Sequence, residues 1–153
     1  MKLIDTAQLD LEATDANPRT GAPMGRVMLD GRATDTRVAG AIREAGVGLD
    51  AGFLLITSDD VPFEEAVHLH LLDAAAQPIE SATIGAPYTA GIFGDLVLEP
   101  PDQLHFAFIG PQRWHVRILR SAHLHLPLLG DPHGVWRGLR LRTRLRIRTT
   151  PAA

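Results

Sequence analysis

The chain has 153 residues, 45% of them apolar and 22% charged, with a formal net charge of −3. That length supplies one core of ordinary size, and the composition excludes both a disordered chain and a bundle of membrane-spanning helices. The absence of cysteine removes disulfides, thiolate metal sites and cysteine nucleophiles together.

Aromatic residues make up only 5% of the chain, so the core must be aliphatic. The N-terminus, MKLIDTAQLDLEATDANP, lacks a basic segment followed by an apolar one, and the expected setting is cytoplasmic. Of the 15 Lys and Arg residues only Lys2 is a lysine. With abundant Ala, Gly and Pro this reads as GC-rich codon usage. An arginine here is therefore not by itself a sign of bidentate chemistry.

In chain order, Gln8 to Thr14 alternates Leu9, Leu11 and Ala13 with Asp10 and Glu12, which predicts a strand. Asp15 to Gly25 carries two prolines and two glycines and reads as a loop. Arg26 to Leu29 is a short strand, and Asp30-Gly31 is a hairpin turn signal, since glycine accepts positive φ. Asp35 to Ala45 fits either a helix capped by Asp35 and stopped at Gly46, or a strand with Val38, Gly40 and Ile42 on one face. The interior Gly40 costs a helix about 1 kcal/mol relative to alanine, which favours the strand.

Phe53 to Thr57 is a continuous apolar run, as expected of a buried central strand. Ser58 to Glu65 is an acidic loop broken by Pro62. Ala66 to Leu72 places Val67, Leu69 and Leu71 inward and His68 and His70 outward. After a turn at Asp73 to Pro78 comes a strand at Ile79 to Ile84, then a glycine-rich loop, Gly85 to Gly94. Asp95 to Glu99, Gln103 to Ile109, Trp114 to Arg120 and Ala122 to Leu126 read as further strands, and Pro127 to Gly134 as a loop.

The last run, Val135 to Thr150, predicts a terminal strand. From Leu139 onward Leu139, Leu141, Thr143, Leu145 and Ile147 alternate with Arg140, Arg142, Arg144, Arg146 and Arg148. Short strands with turn signals every 8–12 residues or so predict one all-β domain over residues 1–153. The expected architecture is a two-sheet β-sandwich, jelly-roll-like, with at most one short helix.

Two patterns carry functional expectations. The first is the arginine stripe. Same-face neighbours on a strand lie about 6.6–7 Å apart, where two unit charges repel by about 0.6 kcal/mol in water. Five in a row favour compensation by carboxylates on flanking strands, a bound anion, an acidic partner or full hydration. Arg140, Arg142, Arg144, Arg146 and Arg148, with Trp136 as an anchor, are the candidate surface for an acidic protein or a second copy of the chain. Net acidity and few aromatics argue against nucleic acid.

The second pattern is the pair of His-x-His motifs, His68/His70 and His123/His125, with His105 and His115 on a predicted hairpin. Neutral imidazoles converging from neighbouring strands suit a divalent transition metal, bound structurally or for catalysis. No cofactor is otherwise implied. No GxSxG, Walker-type or dinucleotide-binding glycine motif is present.

Overall fold

A computed structural model describes residues 1–127 and 129–153. Leu128, within the loop expected after Leu126, lies outside the described residues. Among the described residues there are thirteen strands and no helix. In chain order these are β1 (Lys2–Ile4), β2 (Leu9–Thr14), β3 (Met24–Leu29), β4 (Arg32–Ala39), β5 (Ile42–Leu49), β6 (Gly52–Ser58) and β7 (Ala66–Asp73). Then follow β8 (Pro78–Gly85), β9 (Gly94–Glu99), β10 (Gln103–Ala107), β11 (Gln112–Leu124), β12 (Val135–Trp136) and β13 (Arg142–Pro151).

The strands form three antiparallel sheets. One has six strands in the order β1-β5-β6-β7-β8-β12, one has four in the order β13-β11-β10-β9, and one has three in the order β2-β3-β4. The six-stranded sheet is the middle layer. Its β6 sends Leu54 and Ile56 to one side and Leu55 to the other. On the first side these pack with Phe106, Trp114, Val116 and Leu145 of the four-stranded sheet. On the second side Leu55 and Leu72 meet Leu9, Val27 and Val38 of the three-stranded layer. Each such side chain, fully buried, contributes about 1.5–3 kcal/mol.

The fold is therefore all-β and sandwich-like, with a third sheet added to the expected pair. The unbroken apolar run at Phe53 to Thr57 is the local sign of that extra layer, because a strand covered on both faces has no side to give to polar residues.

The segment Asp35 to Ala45 is neither one helix nor one strand. It spans the end of β4 and the start of β5, and the chain passes between two sheets at Gly40-Ala41. Gly40 has φ 111°, and a Cβ there would collide with the Thr57 side chain. Asp30 and Gly31 have φ 50° and 76°, as the hairpin signal requires.

Two expectations about faces need correction. Leu139 and Leu141 are exposed and precede β13, which begins at Arg142. Only Thr143, Leu145 and Ile147 of the alternating set are buried. His68 and His70, expected to point outward, are buried, because the second face of their sheet is also covered.

Candidate functional site

The outer face of the four-stranded sheet gathers the cationic side chains. Register fixes the rows. Arg148 lies opposite His115, and His115 opposite His105. Arg146 lies opposite Arg117, and Arg117 opposite Gln103. Because directly opposite residues share a face, two rows of basic groups cross the sheet side by side.

Some of these charges are met from within the chain. The Arg117 Nε donates to Asp102 Oδ2 at 3.0 Å, and His105 Nδ1 lies 2.9 Å from Glu99 Oε1. Arg113 has Asp95 at 3.8 Å. Arg140 stands 3.7 Å from Glu80 and also donates to the Ile79 carbonyl. The Arg144 side chain donates to the Leu119 carbonyl. Among the described residues, Arg142, Arg146 and Arg148 form no ion pair. Arg146 and Arg148 border a hollow of about 80 Å³ with His115, Arg117 and Gln103.

A residue that the stripe concealed, Arg137, organises the base of this surface. Its side chain is 4% exposed. Nη1 donates to Glu80 Oε1 at 3.0 Å, to Thr143 Oγ1 at 2.7 Å and to the Leu145 carbonyl at 2.9 Å. Nη2 donates to Asp131 Oδ1 at 2.7 Å. The second oxygen of Asp131 lies 3.2 Å from His125 Nε2. Glu80, whose side chain is 2% exposed, also accepts from the Thr143 hydroxyl and from the Arg144 amide at 2.7 Å. One guanidinium thus joins β8, the loop after β11 and the start of β13. Its spacing sets Arg137 apart from the stripe: it stands three residues before Arg140 and in step with Leu139, Leu141 and Thr143, the only signal in the sequence that it belongs elsewhere.

The histidine pairs do not converge. His68 and His70 lie on β7 in the six-stranded sheet, whereas His123 lies on β11 in the four-stranded one and His125 just beyond it. His68 Nε2 lies 2.7 Å from Asp59 Oδ1, and a carboxylate only accepts, so Nε2 donates. In the neutral ring, Nδ1 then accepts from the Thr83 hydroxyl at 2.7 Å. By the same logic His70 Nε2 donates to the Ala39 carbonyl at 2.9 Å, and Nδ1 accepts from the Ser81 hydroxyl at 2.8 Å. Both lone pairs that a metal needs are already engaged. Burial lowers the His70 pKa from 6.5 to about 4; the Ala39 carbonyl works in the opposite direction, and the neighbouring His68 adds to the lowering. Among the described residues, no group of three or more His, Asp or Glu is placed to hold a metal ion.

Trp136 lies opposite Thr83 on β8 and is 64% exposed. It stands on a different sheet from the arginine strand, so the two are not parts of one flat face. Comparison with protein-family models, curated proteins and solved structures finds no match to this chain. Among the described residues, no helix is long and apolar enough to cross a membrane.

Proposed function

We propose that the protein is a non-enzymatic interaction module whose C-terminal strand binds an acidic protein surface. The observation that supports this reading is the uneven pairing of its arginines. Arg113, Arg117, Arg137 and Arg140 each have a carboxylate of the same chain, whereas Arg142, Arg146 and Arg148 are exposed and form no ion pair among the described residues. Guanidinium groups held on a strand keep a fixed spacing and offer paired donors to carboxylates. Their burial by a partner replaces the repulsion along the strand with attraction. The reading carries the expectation of a cytoplasmic setting, which a cysteine-free composition accommodates.

Titration of a fluorescent oligoglutamate peptide tests it. Binding is expected at low ionic strength and should weaken steeply as salt approaches 0.5 M. The triple variant R142A/R146A/R148A should bind at least tenfold more weakly, with an unchanged melting profile. Equal binding by the variant and the wild type removes the arginine strand from the interaction.

A further inference from the structure

Most of the strongly exposed apolar side chains collect at two places, with Leu3, Ile42, Val97 and Trp136 standing apart from both. One is a tip made by the β6–β7 and β8–β9 loops. Phe63, Tyr88 and Ile92 are 80%, 91% and 86% exposed there. The loops touch through the Tyr88 amide, which donates to Glu64 Oε1 at 3.4 Å. Glu65 shapes the first loop by accepting from the amides of Asp59, Asp60, Val61 and Ala66. Asp60 and Glu64 remain exposed beside Phe63, and neither forms an ion pair among the described residues.

The other place is the region where β11 ends and β13 begins. Leu124, Leu126, Leu129, Leu139 and Leu141 are all exposed there. Leu124 pairs with Arg142, the His125 amide donates to the Leu141 carbonyl, and the Leu129 amide donates to the Leu126 carbonyl. Part of this region borders a cleft of about 250 Å³ that also meets Arg146 and Arg148. The unpaired charges bordering this region are cationic: Arg142 is exposed opposite Leu124, and the exposed Arg146 and Arg148 line the cleft that Leu124, Leu126 and Leu129 border. The nearby carboxylate of Asp131 is already engaged by Arg137 and His125.

Register puts the two places at opposite ends of the four-stranded sheet. Gly94, Ala107, Arg113 and Thr150 align at the end from which the β8–β9 loop departs. Leu124 and Arg142 align at the other end. An apolar tip flanked by the exposed Asp60 and Glu64 and an apolar patch flanked by exposed guanidiniums therefore lie toward opposite ends of this sheet.

We propose that they meet between molecules, the Phe63–Tyr88–Ile92 tip of one copy seating on the leucine patch of the next. The occupant is a second copy because the chain itself carries the surface that complements the patch in both polarity and charge. Exposed apolar side chains gathered in one region mark association sites, and opposite charges at the rim fix orientation. The contact is head-to-tail, so repeated association builds a chain or closes a ring rather than stopping at a symmetric pair. This inference rests on the arginine strand being a surface for acidic partners, and it names that partner.

Sedimentation velocity over a range of concentrations provides the test. Wild type should grow beyond dimer as concentration rises and fall back in high salt. A tip variant, F63S/Y88N, and a patch variant, L139S/L141S, should each remain monomeric. All four positions are exposed, so the fold is expected to persist, which thermal melts of each variant check. An equimolar mixture of the two variants should form a complex of twice the chain mass and no larger, because each supplies one intact half of the contact. A monomeric wild type at all concentrations, or a mixture that does not dimerise, overturns the proposal. If oligoglutamate still binds in that event, the acidic-partner reading stands and only self-pairing falls; if neither occurs, both fall.

Discussion

Replacing Arg137 by methionine is expected to be among the most damaging single changes available to this chain. Methionine keeps the length of the side chain but removes the charge and every donor. Glu80 and Asp131, with side chains 2% and 13% exposed, would then stand without their shared cation. Breaking a buried ion pair by removing one partner costs about 3–5 kcal/mol, because the remaining charge stays desolvated. The Thr143 hydroxyl and the Leu145 carbonyl lose a donor as well, which puts the expected loss toward the upper part of that range. For a chain of this length the corresponding fall in Tm is roughly 6–20 °C. Urea unfolding followed by the fluorescence of buried Trp114 measures the loss. Adding E80Q to R137M removes the buried charge of Glu80, which would otherwise face only the half-exposed Arg140 at 3.7 Å, so the double variant should be more stable than the sum of the two single losses by more than about 1 kcal/mol. A loss below about 1 kcal/mol for R137M, or strict additivity in the double variant, refutes the account of a buried charge network.

Three further outcomes are expected. His70 is held neutral in the fold, so stability is complete above its unfolded pKa of 6.5 and is lost as pH falls toward the folded value of about 4, by up to about 3 kcal/mol; urea midpoints from pH 7 to 4 should show this slope, and it should be shallower in H70Q. Gly40→Ala should cost about 1–3 kcal/mol, because φ 111° is strained for an L side chain and the new methyl meets Thr57; thermal melts at neutral pH measure it, and an unchanged Tm contradicts the cause assigned. Glu65→Ala should release the amides of Asp59, Asp60 and Val61, seen as faster hydrogen exchange there while the amides of β6 remain protected.

Alternation made much of the fold legible. The period of two at Gln103 to Ala107, and at Thr143 to Ile147, identifies strands with one buried face, and those faces are the ones observed. Alternation cannot report what covers the second face. His68 and His70 read as solvent-facing because they are polar and out of phase with Val67, Leu69 and Leu71. They are buried because hydroxyls, a carbonyl and Asp59 satisfy all four ring nitrogens. The same limit applied to Leu139 and Leu141, which continue the pattern of β13 in sequence but lie before the strand in space. Arg137 was hidden among similar residues: its partners lie at Glu80, Asp131 and Leu145, and only the tertiary fold brings them together.

The burial of β6 and β7 on both faces has a consequence for how this chain tolerates change. On an ordinary sandwich strand every second position accepts polar substitution freely. Along Leu54 to Ile56, and from Val67 to Leu72, no such relief exists, since all of these positions are buried. A saturation scan of the chain should therefore trace two kinds of strand: a comb of alternating tolerance along β13, and uninterrupted intolerance through the two central strands, with the histidines of β7 as constrained as the leucines between them.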